Sequence, residues 1–184
     1  MLNENHLGKR MIPLLLSAGL ILADQLSKLW ILSSIPLNTV GHQVGGGDFL
    51  RIIHVRNLGM AFSLGAGMPD WLRVVVFIVI PLSMLIALGF YLVLSREPST
   101  FQRWILAGII GGGLGNQIDR IFRPLGVVDF IDVKFYGLFG LERWPTFNIA
   151  DSTVVICAIL LGLNLLFGLG EGKKHEKELG GIRE

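Results

Sequence analysis

Between Val74 and Leu94 the chain carries no charged side chain. A run of about 20 apolar residues is what a helix needs to cross a bilayer. Three further stretches approach that character: Met11–Leu32, Trp104–Ile118 and Ser152–Leu169. Composition agrees, because only 16% of the 184 residues are charged and 52% are hydrophobic, whereas soluble domains carry about 25% charged residues. The expectation is an integral membrane protein, mainly α, with four transmembrane helices near 11–32, 74–94, 104–118 and 152–169. One membrane domain over 1–184 is expected. A net charge of +2 gives no reason to expect nucleic acid as a partner. Cys157 is the single cysteine, so no intrachain disulfide can form.

The connections carry their own signals. Lys9-Arg10 precede the first apolar stretch, so a cleaved signal peptide is a rival reading. Against it, apolar character resumes after Lys28 and no Ala-x-Ala-like site ends the run. Residues 33–73 contain Gly45-Gly46-Gly47, Pro36 and Pro69, and Phe49–Arg56 reads as a strand. A small extramembrane β element is expected there. Pro81 is expected to kink the second span. Trp104–Ile118 covers roughly 22 Å as a helix, short of the ~30 Å hydrocarbon core. Asp119-Arg120 are therefore expected at or just inside the interface, unless the bilayer thins there. Gly108/Gly112 and Gly111/Gly115 form small-xxx-small pairs that let another helix approach closely. The tail 170–184, with lysines and glutamates interleaved, is expected to be solvated.

Four spans put both termini on one face and gather the connections 33–73 and 119–151 on the other. Asp24, Asn57, Asn116, Asp119, Arg120, Asp129, Asn148 and Asp151 then meet at one membrane face by parity alone. Lys and Arg divide almost evenly between the two faces. The basic pair before the first span and Lys173-Lys174 favour cytoplasmic termini.

Polar residues concentrated between membrane-grade segments are costly unless they serve a site. Asp129 lies amid Val127, Val128, Phe130 and Ile131, where desolvation should raise its pKa. Asp151 directly precedes the fourth span, where it can act as an N-cap and where the helix terminus favours an anion. Two close carboxylates in unequal surroundings can share one proton and work as acid and base. Asp24 and Lys28, spaced i, i+4, either neutralise one another within the span or contact a substrate. Asn57, Asn116 and Asn148 either cap loops and helices or hold a substrate backbone. Arg120 either pairs with Asp119 or a headgroup, or snorkels to the interface and offers its planar fork to substrate. Asp132 widens the choice of carboxylates. His54 is the one histidine expected near the site, too few nitrogen or sulfur ligands for a typical metal centre.

Taken in order, several stretches resemble the bacterial lipoprotein (type II) signal peptidases: Asp24-Gln-Leu-Ser-Lys28, Arg56-Asn-Leu-Gly-Met-Ala-Phe62, Gly113-Leu-Gly-Asn-Gln-Ile-Asp-Arg120, Val127-Val-Asp-Phe-Ile131 and Phe147-Asn-Ile-Ala-Asp-Ser152. The resemblance runs from about residue 11 to 169. It implies catalytic aspartates at Asp129 and Asp151, in a site lined or supported by Asp24, Lys28, Asn57, Asn116, Arg120 and Asn148. It also implies four inner-membrane helices, a small periplasmic β-cradle, cytoplasmic termini and an active site near the periplasmic face. The implied reaction removes the signal peptide of a diacylglyceryl-modified prolipoprotein just before the lipidated Cys. The implied partners are that substrate and membrane lipid, with no metal or cofactor and no second subunit. Two other classes compete. An ion- or proton-coupled carrier would also use intramembrane Asp/Lys pairs, and a structural subunit would use the Gly-rich span for packing. Neither accounts for Asp129 and Asp151 together.

Overall fold

The structure is a computed structural model that describes residues 4–59 and 68–168. Its helices are α1 (Glu4–Met11), α2 (Leu14–Ser34), α3 (Asp70–Val74), α4 (Ile80–Leu94), α5 (Thr100–Phe122) and α6 (Ile149–Phe167). A π-helical turn, Val75–Val79, joins α3 to α4. The strands β1 (Val40–Val44), β2 (Leu50–Asn57) and β3 (Val127–Val133) form one antiparallel sheet in the order β1-β2-β3. The tail 170–184 and Met60-Ala-Phe62 lie outside the described residues.

Three helical stretches are long and apolar enough to cross a membrane: Gly8–Ser34, Asp70–Leu94 and Ile149–Phe167. Their outward residues, such as Leu15, Met84, Phe90 and Leu166, are exposed, as lipid-facing side chains would be. The third expected span differs. It is not the short segment 104–118 but α5, 23 residues from Thr100 to Phe122, and it packs against α2, α4 and α6. A helix surrounded by other helices can carry glycines and charges that a lipid-facing helix cannot. The shortness expected to force Asp119-Arg120 to the interface is therefore absent.

The glycines of α5 set how close its neighbours come. A Cβ on Gly112 would meet Ala150 O at 2.7 Å, and one on Gly108 would strike Cys157 Sγ. One on Gly111 would meet Ser17 Cα at 2.9 Å, and one on Gly115 would meet Asp24 Oδ2 at 2.7 Å. The 108/112 pair thus seats α6, and the 111/115 pair seats α2.

Pro81 interrupts the helical hydrogen-bond ladder. The α-helical bond to Phe77 O would come from the N–H of residue 81, which proline lacks. The turn before it widens into the π stretch, and Gln117 Nε2 donates to Phe77 O at 3.0 Å instead. Widened turns of this kind tend to mark functional regions.

The β element expected within 33–73 forms β1 and β2, but the sheet is completed by β3, from the connection between α5 and α6. Val55 pairs with Asp129 and Asn57 with Val127. The sheet sits at the end of the bundle: Val128 and Phe130 of β3 pack with Ile31 and Ile35 at the end of α2. His54 is buried and its Nδ1 donates to Ile35 O at 2.8 Å. It ties β2 to α2 and does not line the carboxylate cavity.

Candidate active site

Asp129 is only 3% exposed on β3. Its Oδ1 accepts from Asn148 Nδ2 at 2.7 Å and its Oδ2 from Asn57 Nδ2 at 3.1 Å. Burial, followed by the nearby Asp151 charge, pushes its pKa up from 3.8 to about 7, while the two amide bonds and Lys28 hold it down.

Asp151 is not the N-cap of α6. Asn148 takes that position and accepts from Asp151 N at 2.9 Å. Asp151 is the third helical residue, and its Oδ2 accepts from Asn148 N at 3.1 Å. This reciprocal capping box locks the rotamer of Asp151 by satisfying two backbone donors. Its Oδ1 accepts from Asn116 Nδ2 at 2.7 Å.

Asn116 and Asn148 therefore touch both halves of the site. Asn148 Nδ2 reaches Asp129 and also Asn116 Oδ1 at 3.1 Å. Asn116 Oδ1 in turn accepts from Lys28 Nζ at 2.9 Å. Two amides, each offering donor and acceptor atoms, link strand, two helices and both carboxylates.

Asp24 and Lys28 stand one layer behind. Lys28 is fully buried and contacts Asp24 Oδ2 at 2.8 Å and Asp119 Oδ2 at 3.1 Å. Asp24 Oδ1 accepts from Ala150 N at 3.1 Å, in the first turn of α6. Asp119 Oδ2 accepts from Val128 N at 3.0 Å, next to Asp129. Asp119 also pairs with Arg123, and Gln25 Nε2 donates to it at 3.1 Å. The cluster fixes α6 and β3 relative to α2 and α5, and it does not line the cavity. Of the two readings left open for Asp24 and Lys28, this placement matches mutual neutralisation. Sequence reasoning gave Asp119 no such role. The signal available was Arg123 four residues on, the i, i+4 spacing already applied to Asp24 and Lys28.

Arg120 does not pair with Asp119 among the described residues. It is part-buried, lines the carboxylate cavity, and its Nη2 donates to Gly59 O at 3.4 Å. That cavity is about 490 Å³, and Asn57, Asn116, Asp129 and Asp151 line it with Arg120. Its apolar wall includes Trp144, Phe147, Val155 and Ile156. Trp144 comes from 135–146, outside the stretches that carry the resemblance, and Phe147 opens the last of those stretches. Asp132 holds this stretch in place: its carboxylate accepts from Arg143 Nε at 2.7 Å and from Arg51 Nε at 2.7 Å. It is a scaffold carboxylate and not a third candidate for the reaction.

An apolar-walled cleft with two carboxylates, paired amides and one guanidinium, at the sheet end of a membrane bundle, suits hydrolysis of a chain held at a bilayer surface. The family described as signal peptidase (SPase) II matches residues 16–167. The chain belongs to the signal peptidase II family. It is similar to the lipoprotein signal peptidase of Treponema pallidum (strain Nichols), 44% identical over 171 residues, covering 93% of this chain and 88% of that protein. The lipoprotein signal peptidase of Treponema denticola is 46% identical over 166 residues, covering 90% of this chain and 93% of its own. A solved bacterial membrane enzyme shares the fold with a TM-score of 0.72 and 29% identity, over 89% of this chain and 92% of that one. The signal peptidase II assignment makes the chain a membrane protease of lipoprotein processing, with three apolar helices and a small three-stranded sheet.

Proposed function

We propose that this signal peptidase II is an aspartic endopeptidase that cuts diacylglyceryl-modified prolipoproteins just before the lipidated Cys, with Asp129 and Asp151 as its acid–base pair. The supporting observation is that both carboxylates line one cavity in unequal surroundings. Asp129 is enclosed on a strand among apolar neighbours and keeps its proton up to about pH 7. Asp151 sits at the positive end of α6, which favours the anion there. The pair thus holds one proton near neutral pH.

In this reading the Asp151 carboxylate takes a proton from a water as its oxygen attacks the scissile carbonyl carbon. Asp129 donates its proton to the carbonyl oxygen. The tetrahedral intermediate collapses when the amide nitrogen accepts a proton from Asp151 and the C–N bond breaks. The new carboxyl returns the other proton to Asp129, so the pair ends as it began. Asn116 and Asn148 hold the two side chains, and Arg120 faces the peptide carbonyls.

The same proposal covers placement in the membrane. The chain forms a single domain in the bacterial inner membrane, working as a monomer, with four crossings of which α5 is the third and innermost. Its termini are cytoplasmic and the sheet and cavity are periplasmic. The diacylglyceryl group anchors the scissile bond at the depth where α5 ends and α6 begins.

The rate should fall with rising pH, with a midpoint near 7. Asp129 is raised above its ordinary 3.8, so between about pH 4 and 7 the folded chain keeps a proton that the unfolded chain releases. Stability declines across that window and levels off above it, while the protonated pair, and with it the rate, is lost above 7. A kcat/KM profile for a diacylglyceryl precursor peptide checks this, and a flat profile to pH 9 would refute it.

Arg120→Lys keeps the charge but loses the planar fork. Cleavage by the purified variant in nanodiscs is expected to drop about tenfold or more, the cost of one charge-assisted hydrogen bond or more. Equal rates across substrate concentrations would show that charge alone matters at this position.

A further inference from the structure

A second cavity, about 320 Å³, shares Arg120 and Asn57 with the first. These residues therefore form the wall between the two. Arg73 and Arg123 join Arg120 in its lining, against one lining carboxylate, Asp70. Arg123 is committed to the buried Asp119. Arg73 Nη1 lies 3.4 Å from Asp70, whose side chain is 95% exposed and so weakly held. Arg73 Nε and Arg120 Nε are buried and have no hydrogen-bond partner among the described residues. With Arg123 neutralised by Asp119 and Asp70 only weakly held, Arg73 and Arg120 leave the lining net positive, which favours an anionic ligand.

Much of the remaining lining is apolar, with Val74, Phe77 and Ile121. Phe122, also in the lining, is 75% exposed, and Trp71, next to Asp70 in α3, is 68% exposed, the kind of aromatic side chain that settles at headgroup depth. Arginines and hydrocarbon-compatible surface in one cavity match the two ends of one molecule class. We propose that this cavity binds the phosphodiester headgroup of an anionic phospholipid, with its acyl chains along the α4–α5 surface. Guanidinium forks match phosphate oxygens in geometry and charge. Inorganic phosphate from solvent would use the arginines but leave the apolar lining unoccupied. A bound phosphodiester would contact the Arg120 guanidinium from this second cavity, while Asp129 and Asp151 line the first. This last consequence, a dependence of cleavage on anionic lipid, rests on the proposed peptidase site. The binding itself does not.

The test uses the full chain in phosphatidylcholine nanodiscs with or without phosphatidylglycerol, followed by native mass spectrometry of the lipid retained. Phosphatidylglycerol should be retained in preference to phosphatidylcholine. Arg73→Gln should weaken retention about tenfold, the scale of one charge-assisted hydrogen bond. Asp70→Asn, which removes the lining carboxylate at an exposed position, should strengthen it, and so gives a result even if Arg73→Gln does not fold. Millimolar inorganic phosphate should fail to displace the lipid. Equal retention of both lipids, no change on Asp70→Asn, or displacement by inorganic phosphate would overturn the proposal. Cleavage measured in the same nanodiscs separates the two readings: lipid retention without cleavage counts against the peptidase site alone, and cleavage without selective retention counts against the lipid site alone.

Discussion

Asparagine at position 129 or at position 151 should each lower turnover by on the order of 10²-fold or more, the scale of lost acid–base catalysis, without unfolding the protein. Asparagine keeps the volume and one acceptor oxygen but cannot carry a transferable proton. At 129 it must face two donors, Asn148 Nδ2 and Asn57 Nδ2, with only one oxygen, so one contact is lost. At 151 it must choose between Asn148 N and Asn116 Nδ2. Each loss costs roughly 1 kcal/mol, which a folded bundle can absorb. The double variant should be little slower than either single one, because the two groups act as a unit. Single-turnover cleavage, with circular dichroism to confirm folding, provides the measurement. Near-wild-type turnover in a folded variant would remove that residue from the chemistry.

Lys28→Met should produce the largest loss of stability. Lys28 is 0% exposed and lies against two buried carboxylates, Asp24 and Asp119, at 2.8 and 3.1 Å. Removing one member of a buried ionic cluster strands the others and costs about 3–5 kcal/mol. Arg123 still faces Asp119, so Asp24 bears most of the cost. Adding Asp24→Asn to Lys28→Met should therefore restore part of the stability, a coupling that a simple packing defect would not show. Unfolding in detergent micelles, followed by near-ultraviolet circular dichroism, reads both effects. A Lys28→Met protein as stable as its parent would mean that the cluster does not hold α2, α5 and β3 together.

The sequence by itself determined that the chain is a membrane protein and where its polar residues concentrate. Uncharged runs as long as Val74–Leu94 tolerate few other solutions, because every backbone polar group in lipid must be satisfied within a helix or a closed barrel. It also singled out Asp129 and Asp151 with Asn57, Asn116 and Asn148, since polar groups next to such runs need a reason to be there. Several matters were decided only in three dimensions. Whether Asp24 and Lys28 face substrate or one another depends on Asp119 arriving from a different helix. The cap of α6 fell to Asn148 and not to its equally eligible neighbour Asp151, because Asn148 also had to reach Asn116 and Asp129. β3 was not recognised as a strand, since its partner β2 lies some 70 residues earlier and strand pairing is a long-range choice that local composition does not report. The role of Asp132 was hidden for the same reason: its partners Arg51 and Arg143 come together only once the sheet has formed.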